Sequence, residues 1–308
     1  MITAVTLNTS IDKAYQVEDV KKGTVMRVKS CNNTAGGKGL NVARVIQICG
    51  EEILATGFCG GHAGALLEEM LSKAGIAYDF VHTAKETRNC LNILSRDGVS
   101  TEFLEPGEPV TEEEIEAFLK KYEALVDKSN VITLSGSIPQ GAPPDIYATL
   151  IRIAKDRQKT VILDTSGPAL TEGIKALPDM IKPNADEIET LLNISITNRN
   201  DIIQGAVKLH DMGIPYVVVS LGKEGAVCVS KEGILKAAPP AVNAINTVGC
   251  GDSMVAAFAV SFERRYPLQQ ALKYAVAVSA ANTLTTTTGH YRPEDMQEIY
   301  SLVEVEIL

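Results

Sequence analysis

The sequence has no tryptophan, only 5% aromatic residues, and six cysteines, no two of which form a Cys-x-x-Cys pair. Such scattered cysteines favour neither a zinc site nor a disulfide framework, and they fit a reducing compartment. No unbroken run of about 18 apolar residues occurs, as a membrane-spanning helix would require. The N-terminal segment MITAVTLNTSIDKAY lacks the basic start and the apolar stretch of a signal peptide. We therefore predict a cytoplasmic protein that has no membrane partner.

Positive charge is also scarce, because 29 Lys and Arg residues face 38 Asp and Glu residues, for a formal net charge of −9. No basic stripe could neutralise a row of phosphates, so nucleic acid is not an expected partner. An anionic ligand must instead be attracted by a local positive site. With 308 residues, of which 45% are hydrophobic, the chain can bury a sizeable core, which excludes the disordered classes.

Short apolar runs alternate with helical patterns along most of the chain. Strands are predicted at residues 52–58, 131–135, 160–164 and 215–220. Amphipathic helices are predicted at residues 62–74 and 113–127, and from the pair Pro143-Pro144 to about residue 158. This alternation favours an α/β fold, a doubly wound and mostly parallel sheet with helices on both faces. No long linker interrupts it, so we predict one domain over residues 1–308.

Two segments, about residues 13–32 and 88–105, break this pattern. They contain the short strand-like stretches AYQVEDV, TVMRVKS, LNILS and TEFLE, with a turn at Arg96-Asp97-Gly98. Such stretches are too short, and too polar on one face, to be core strands of a buried parallel sheet. We predict that they form a small second sheet, the lid, over one edge of the main domain. Its exposed face would be covered by a ligand or by a second copy of the chain.

The segment NTVGCGDSMV, residues 246–255, carries the most chemical information. Gly249, Cys250 and Gly251 precede an apolar helical run, so their backbone N–H groups are expected to form an anion cradle at a helix N-terminus. Asp252 follows at the predicted cap position. Its carboxylate can accept a proton from a hydroxyl that attacks a phosphoryl group, while the cradle stabilises the charge. The alternative is an ordinary helix N-cap, where Asp is a favoured residue.

Neither a P-loop nor a dinucleotide-binding GxGxxG pattern is present, so a nucleotide site would be built from other segments. TAGGKGLNVAR, residues 34–44, offers glycines that let the backbone approach a ligand, and Lys38 offers a point charge for a phosphate. The alternative for this segment is a Gly-rich turn with a solvated lysine. SLGKEGA, residues 220–226, is either a plain hairpin turn or a loop that receives the flat edge of a nucleotide.

Asn184 and Glu187 follow the strand-like pair Met180-Ile181 and are three residues apart, hence on one face of a first helical turn. Their amide and carboxylate oxygens suit Mg²⁺, which prefers oxygen ligands and usually keeps several waters. A capping box, in which Asn is followed three residues later by Glu, is the alternative.

Taken together, GGKGLN, NxxE, SLGxxG and GxGD occur in an order that resembles the ribokinase-like (PfkB) family of carbohydrate kinases over essentially the whole chain. Finer features resemble its sugar-phosphate branch, which holds tagatose-6-phosphate kinases and 1-phosphofructokinases. The combination of TAGGKGLN with ETRNC is most similar to the tagatose-6-phosphate kinases. The resemblance implies an ATP- and Mg²⁺-dependent kinase that converts a ketohexose phosphate, tagatose 6-phosphate first, into a bisphosphate. It also implies that the lid doubles as a homodimer contact.

The resemblance further implies roles for individual residues. Asp252 is the expected catalytic base, with Gly249, Cys250 and Gly251 as the anion hole. The sugar and its phosphate are expected to contact Asp12, Gly37, Lys38, Asn41, Arg88 and Arg27, the last from the same or a neighbouring subunit. The nucleotide is expected to contact Lys182, Asn184, Ser220, Gly222, Gly225 and Asn282. Asn184 and Glu187 are expected to organise Mg²⁺, through water.

Two alternatives to a tagatose-6-phosphate kinase stay open: a 1- or 6-phosphofructokinase of the same family, and a regulatory protein that binds sugar phosphates without turnover. Retention of Asp252, Asn184 and Glu187 argues against the second. The commoner family signature has Asp where this chain has Asn246, which leaves a monovalent-cation site open. Lys38 and Arg88 would be unpaired buried cations unless the sugar carried a phosphate, so free ribose and adenosine should be poor substrates.

Overall fold

The computed structural model describes residues 1–97 and 99–308, and places fifteen strands in two sheets. In chain order the strands are β1 (Ile2–Thr6), β2 (Ser10–Gln16), β3 (Ser30–Gly36), β4 (Ile53–Gly60), β5 (Ala77–Tyr78), β6 (Val81–Thr83), β7 (Arg88–Leu94), β8 (Ser100–Leu104), β9 (Val131–Ser135), β10 (Thr160–Asp164), β11 (Met180–Ile181), β12 (Tyr216–Ser220), β13 (Ala226–Ser230), β14 (Gly233–Ala238) and β15 (Glu304–Ile307). The main sheet has the order β15-β14-β13-β12-β11-β10-β9-β1-β4-β5, with β6 also on β4, and the small sheet has the order β3-β2-β7-β8. The main sheet is parallel from β5 to β12 and antiparallel from β12 to β15.

Ten α-helices in the described part of the chain cover the main sheet. They are α1 (Lys38–Ile48), α2 (Gly61–Lys73), α3 (Glu112–Lys128), α4 (Ile146–Asp156), α5 (Gly167–Gly173), α6 (Ala185–Leu192), α7 (Arg199–Asp211), α8 (Cys250–Glu263), α9 (Leu268–Asn282) and α10 (Pro293–Leu302). None of these helices is both long enough and apolar enough to cross a lipid bilayer.

Two hydrophobic cores lie on opposite faces of the main sheet, which confirms the predicted fold class. Strand β10 shows why: Ile162 joins the core of α1, α2, α8, α9 and α10, whereas Val161 and Leu163 join the core of α3 to α7. Successive side chains of a strand point to opposite faces, so a strand that is apolar at every position must be covered on both. Apolar runs such as VIL at residues 161–163 therefore indicate strands that are covered on both faces.

Strands β9 and β10 coincide with the predicted segments, and helices α2 and α3 begin and end within a residue of theirs. Helix α4 starts later than predicted. Pro143 and Pro144 lie in a turn before it, where the Ile146 N–H donates to the Pro143 carbonyl at 3.0 Å.

The lid differs from the prediction in one strand. Residues 24–29 do not form one, although Val25, Met26 and Val28 alternate with polar residues; these three side chains are exposed, Val25 by 88%. The strand is instead the polar β3, whose backbone pairs with β2 from Ser10 opposite Gly36 to Gln16 opposite Ser30. Backbone pairing, which the hydrophobic pattern does not reveal, decides the register here. The predicted turn at residues 96–98 includes Gly98, which lies outside the described residues.

Candidate active site

Helix α8 begins with a glycine cap that leaves its first turn open. Gly249 has φ +81°, and a Cβ at this position would lie 2.7 Å from Thr288 Cγ2 and 2.8 Å from the Gly289 nitrogen. The Ser253 N–H donates to the Gly249 carbonyl at 2.8 Å, so the N–H groups of Gly251 and Asp252 precede the intrahelical ladder. Those N–H groups and the helix dipole suit an anion, as the sequence predicts.

Asp252 lies in the first turn of α8, not at its cap, which corrects the predicted position. The cap is Gly249, and no side chain caps this helix, so the ordinary N-cap alternative for Asp252 is wrong. The carboxylate is only 6% exposed and accepts a hydrogen bond from Asn41 Nδ2 at 2.9 Å. Burial raises the pKa of Asp252, against the opposing effect of the nearby Lys38 ammonium. A buried carboxylate with a raised pKa is well suited to accept a proton.

Asn41 is oriented by a neighbour whose role the sequence analysis missed. Its Oδ1 accepts from Arg44 Nη1 at 3.0 Å, and the Arg44 guanidinium also donates to the carbonyls of Thr288 at 2.9 Å and Ala35 at 2.6 Å. A guanidinium can only donate, so the oxygen of the Asn41 amide must face Arg44 and its NH₂ group must face Asp252. The signal in the sequence was the Asn-x-x-Arg spacing on α1, which puts both residues on one helix face.

A second buried carboxylate, also absent from our predictions, lies at the end of β10. Asp164 is 3% exposed, with Oδ1 at 3.2 Å from Lys182 Nζ and Oδ2 at 3.4 Å from Lys38 Nζ. Burial alone would raise the pKa of Asp164, but the two ammonium groups together outweigh it and the pKa is lowered. The signal was an acidic residue that ends an otherwise apolar strand.

The pairing with Asp164 corrects our expectation that Lys38 is unpaired without a substrate phosphate. Lys38 is held by Asp164, and the charges of Asp252 and Glu187 also raise its pKa. Lys182 lies against the cradle, since a Cβ on Gly251 would be 3.0 Å from its Nζ. Both lysines therefore face the first turn of α8.

Asn184 and Glu187 form the capping box that we kept as an alternative. The Glu187 N–H donates to Asn184 Oδ1 at 2.8 Å, and the Asn184 N–H donates to Glu187 Oε2 at 2.9 Å. The second carboxylate oxygen, Oε1, has no hydrogen bond within the described residues. Mg²⁺ prefers oxygen ligands and usually keeps several waters. Glu187 therefore fits the predicted metal role better than Asn184, because the amide oxygen of Asn184 already accepts the capping hydrogen bond.

An open cavity lies beside the cradle. Of the residues predicted to bind the nucleotide, Ser220, Gly222 and Gly225 line it, together with Cys250 and Gly251. Most of the remaining wall is apolar and was not predicted, namely Pro239, Pro240, Ala241, Val242, Met254 and Val276. A flat apolar slot next to an anion cradle suits a purine and its phosphates.

Asn282, predicted near the nucleotide base, is fully buried behind this cavity. Its Nδ2 donates to the Val248 carbonyl at 3.0 Å, and its Oδ1 accepts from Ser253 Oγ at 3.1 Å and from the His290 N–H at 3.2 Å. The amide of Asn282 is therefore bonded to groups of the protein, and its contact with a nucleotide stays a prediction. Asn282 holds the loop before α8 against the segment that contains His290.

A second cavity lies between the lid and the main domain, and Asp12 and Asn41 line it together. Ser10 Oγ donates to Asp12 Oδ1 at 2.6 Å, and burial raises the pKa of Asp12. Gly36 leaves room for this carboxylate, because a Cβ there would meet Asp12 Oδ1 at 2.0 Å. Gly37, with φ +100°, caps α1 at the same place. Two of the predicted sugar-binding residues, Asp12 and Asn41, thus line one cavity, and Asn41 connects it to Asp252 by a hydrogen bond.

Arg88 and Arg27 occupy different surroundings. Arg88 donates to the carbonyls of Glu105 at 2.7 Å and Asn8 at 3.1 Å, and within the described residues no carboxylate forms an ion pair with it. Its charge is therefore available to a phosphate. Arg27 lies in the exposed segment between β2 and β3.

Comparison with known proteins agrees with this geometry. Residues 5–295 match the model of the pfkB family carbohydrate kinases. The chain belongs to this family. It is therefore a phosphotransferase of the sugar-kinase type that uses ATP as its co-substrate. A tagatose-6-phosphate kinase of Staphylococcus epidermidis is 38% identical over 308 residues, which cover 99% of both chains.

Solved structures give the same family fold. Phosphofructokinase-2 from Escherichia coli in complex with potassium superposes with a TM-score of 0.91 at 30% identity, over 98% of each chain. The same enzyme in complex with fructose-6-phosphate gives 0.89 at 28% identity, again over 98% of each chain. An Arabidopsis thaliana ribokinase complexed with ribose and ATP, at 21% identity, a TM-score of 0.78 and 97% and 98% coverage, shares the fold. The predicted ribokinase-like fold is thereby confirmed.

Proposed function

We propose that this kinase transfers the γ-phosphoryl group of ATP to a primary hydroxyl of a ketohexose phosphate, and that tagatose 6-phosphate, which yields tagatose 1,6-bisphosphate, is the preferred acceptor. The observation that carries the proposal is the buried Asp252 carboxylate, which Asn41 holds beside the open first turn of α8. The full-length 38% identity to a tagatose-6-phosphate kinase supports the choice of sugar.

In this proposal Asp252 accepts the proton of the sugar hydroxyl as its oxygen attacks phosphorus. The N–H groups of Gly251 and Asp252, with Lys182, stabilise the charge on the transferring group. Lys38 faces the same carboxylates, so we assign it to the transferring phosphoryl group rather than to the phosphate already on the sugar. Arg88, whose guanidinium bonds only to backbone carbonyls among the described residues, is assigned to that second phosphate.

The metal role falls to Glu187 in the proposal. Mg²⁺ bound with ATP would add positive charge at the phosphate oxygens. Glu187 would hold it through one carboxylate oxygen or through water, while Asn184 fixes the glutamate by the capping box. We expect Glu187→Gln to raise the Mg²⁺ concentration needed for half-maximal rate at saturating ATP. An unchanged Mg²⁺ dependence would remove Glu187 from this role.

Phosphofructokinase activity is the second candidate, because E. coli phosphofructokinase-2 is similar in structure over nearly the whole chain. An ADP-release assay with tagatose 6-phosphate, fructose 6-phosphate, fructose 1-phosphate and the free ketohexoses separates the candidates. We expect the highest kcat/KM with tagatose 6-phosphate, and poor turnover of free sugars. A preference for a fructose phosphate would establish the second candidate. Binding without any ADP release would indicate a regulatory protein.

A homodimer through the lid is part of the proposal. The lid exposes Val25, Val28, Phe103 and Leu104, more apolar surface than a free sheet face usually presents. We expect light scattering to report a dimer, and Phe103→Asp to weaken it. A parent protein that is monomeric at micromolar concentration would contradict this. A cytoplasmic location stays a prediction.

A further inference from the structure

Three side chains of the metal-binding type meet on the outer part of the main sheet, away from the α8 cradle. They are Cys59 at the end of β4, Glu68 on α2 and His82 on β6, and their ligand atoms all lie within 4.8 Å of one another. The Glu68 carboxylate is the common neighbour, with Oε1 at 2.8 Å from His82 Nε2 and 3.9 Å from Cys59 Sγ. The cysteine spacing gave no hint of this group, because the fold brings its members together.

The backbone fixes two of the three ligands. Strands β4 and β6 pair in parallel with Cys59 directly opposite His82. Helix α2 follows β4 at once and places Glu68 about two turns from its start, on the side that faces Cys59. The arrangement therefore follows from strand register and helix packing and not from the freedom of long surface side chains.

The three side chains differ in how much of their surface solvent can reach. Cys59 is buried, the Glu68 side chain is 21% exposed and the His82 side chain is 67% exposed. Three protein ligands can thus approach from one side, while solvent reaches the fourth position from the other. The neighbouring Lys121 is bound to Asp79 and to the Phe80 carbonyl, so its ammonium is already partnered.

We propose that Cys59, Glu68 and His82 bind a zinc-class divalent metal ion, with a water molecule as the fourth ligand. A thiolate, an imidazole and a carboxylate are the side chains that Zn²⁺ takes in tetrahedral sites, at about 2.3 Å for sulfur and about 2.0–2.2 Å for nitrogen and oxygen. Ligand atoms in such a tetrahedron are roughly 3.3–3.7 Å apart by that geometry. The sulfur–oxygen separation of 3.9 Å is close to this range, and the His82–Glu68 hydrogen bond must open by less than about 1 Å.

Binding exchanges a proton for the metal and involves no oxidation. The Cys59 thiol loses its proton to the buffer, the neutral His82 imidazole carries its proton on Nδ1 instead of Nε2, and the hydrogen bond between His82 and Glu68 is replaced by two bonds to the ion beside the S–metal bond. The ion would join β4, α2 and β6, three elements that are otherwise linked by packing and strand pairing. Cys59 also lines a cavity with Thr87 and Arg88, so the metal would stiffen a wall beside the proposed sugar-phosphate site.

Cobalt titration of the full-length protein, without nucleotide or sugar, tests this proposal. Bound Co²⁺ reports a thiolate ligand by a sulfur-to-cobalt charge-transfer absorption, and Zn²⁺ should then displace it. We expect one such site per chain, and His82→Ala should weaken binding at least tenfold while Cys59→Ser abolishes the charge-transfer band. Matched controls are His62→Ala, on the exposed start of α2, and Cys31→Ser, an exposed thiol of the lid.

Thermal unfolding with and without Zn²⁺ gives a second readout that does not depend on activity. We expect Zn²⁺ to raise the Tm of the parent and of both controls, and to leave the Tm of His82→Ala unchanged. Since His82 is exposed, its substitution should not impair folding, and the test does not depend on the buried Cys59. No thiolate–cobalt band in the parent, or equal affinity in His82→Ala, would overturn the proposal.

Discussion

The floor of the candidate active site and the lid are held together by different kinds of contact. The floor, which we define as Asn41, Asp164, Lys182 and the first turn of α8, consists of buried polar groups that rigid helices and strand ends hold in fixed hydrogen bonds. The lid is a four-stranded sheet with exposed apolar side chains, and its shape comes from backbone pairing. In the function that we propose, the chemistry belongs to the floor, whereas the lid would enclose the sugar and offer a contact surface.

Within the floor, two buried carboxylates show how the surroundings assign roles. Asp164 has two ammonium partners and a lowered pKa, so it stays ionised and positions Lys38 and Lys182. Among the described residues, Asp252 accepts a side-chain hydrogen bond only from the Asn41 amide, and its pKa is raised. The first carboxylate is suited to hold cations in place, and the second to exchange a proton.

The largest fall in kcat is expected from a substitution that closes the anion cradle in the floor and leaves the lid unchanged. Gly249→Ala adds a Cβ 2.7 Å from Thr288 Cγ2 at φ +81°, so the loop before α8 must move and misalign its N–H donors. We expect kcat to fall on the order of 10²–10³-fold, as for loss of an oxyanion donor. Gly50→Ala is the control, because Gly50 has the same φ of +81° with nothing within 4 Å. Similar kcat values for the two variants would contradict the cradle.

A substitution that lets the Asn41 amide turn should have the next largest effect on kcat. Arg44→Lys keeps the charge but replaces two separate guanidinium nitrogens by one ammonium nitrogen, which cannot occupy both positions. The Asn41 amide is then held less firmly toward Asp252. We expect kcat to fall roughly 10- to 100-fold, the cost of a small misplacement, with little change in KM for ATP. Arg152→Lys on the exposed face of α4 should behave as the parent. A change in KM alone would show that Arg44 supports binding instead.

Removing the charge of Lys38 should shift the pH dependence of the floor. Lys38 lowers the pKa of Asp252 against the effect of burial. Without that ammonium the pKa rises further, so Asp252 stays protonated to a higher pH. We expect Lys38→Met to move the acid limb of the kcat/KM profile to higher pH, and Lys38→Arg to leave it in place. Coincident acid limbs for Lys38→Met and the parent would separate Lys38 from Asp252.

The smallest expected effect is on stability. Because the folded-state pKa of Asp252 is raised, ionising it in the folded protein costs free energy at neutral pH. That cost begins to shrink as the pH falls through the folded-state pKa and is gone below the lower, unfolded-state pKa. We expect Asp252→Asn to raise the Tm at pH 7 by a few degrees. The difference from the parent should shrink on acidification. A lower Tm for Asp252→Asn at pH 7 would contradict the account of a strained, functional carboxylate.

The sequence predicted the floor better than the lid. The apolar runs at residues 131–135 and 160–164 are covered on both faces, so their hydrophobicity alone indicated β9 and β10. The glycines of the NTVGCGDSMV segment indicated an open helix start. In the lid, Val25 and Val28 suggested a strand that is absent, because exposed apolar residues follow the same alternation as half-buried ones.

Roles that depend on distant partners could not be predicted. Asp164 and Lys38 are 126 residues apart in sequence, and Asn282 is satisfied by groups whose approach depends on the packing of α8 against α9. The spacing of Arg44 from Asn41 was apparent in the sequence, but the role of Arg44 depends on its hydrogen bonds to the carbonyls of Ala35 and Thr288. A single sequence shows residue types and local spacing, whereas tertiary contacts decide which neighbour each polar group meets.

The most direct test of the central claim is single-turnover phosphoryl transfer by Asp252→Asn, with bound ATP and tagatose 6-phosphate verified by calorimetry. Asparagine keeps the size of the side chain and an oxygen for Asn41, but it cannot accept the hydroxyl proton. We predict that both ligands bind with near-parental affinity and that the rate of bisphosphate formation falls on the order of 10²–10⁴-fold. A variant that binds both ligands and reacts at close to the parental rate would contradict the assignment of Asp252 as the base.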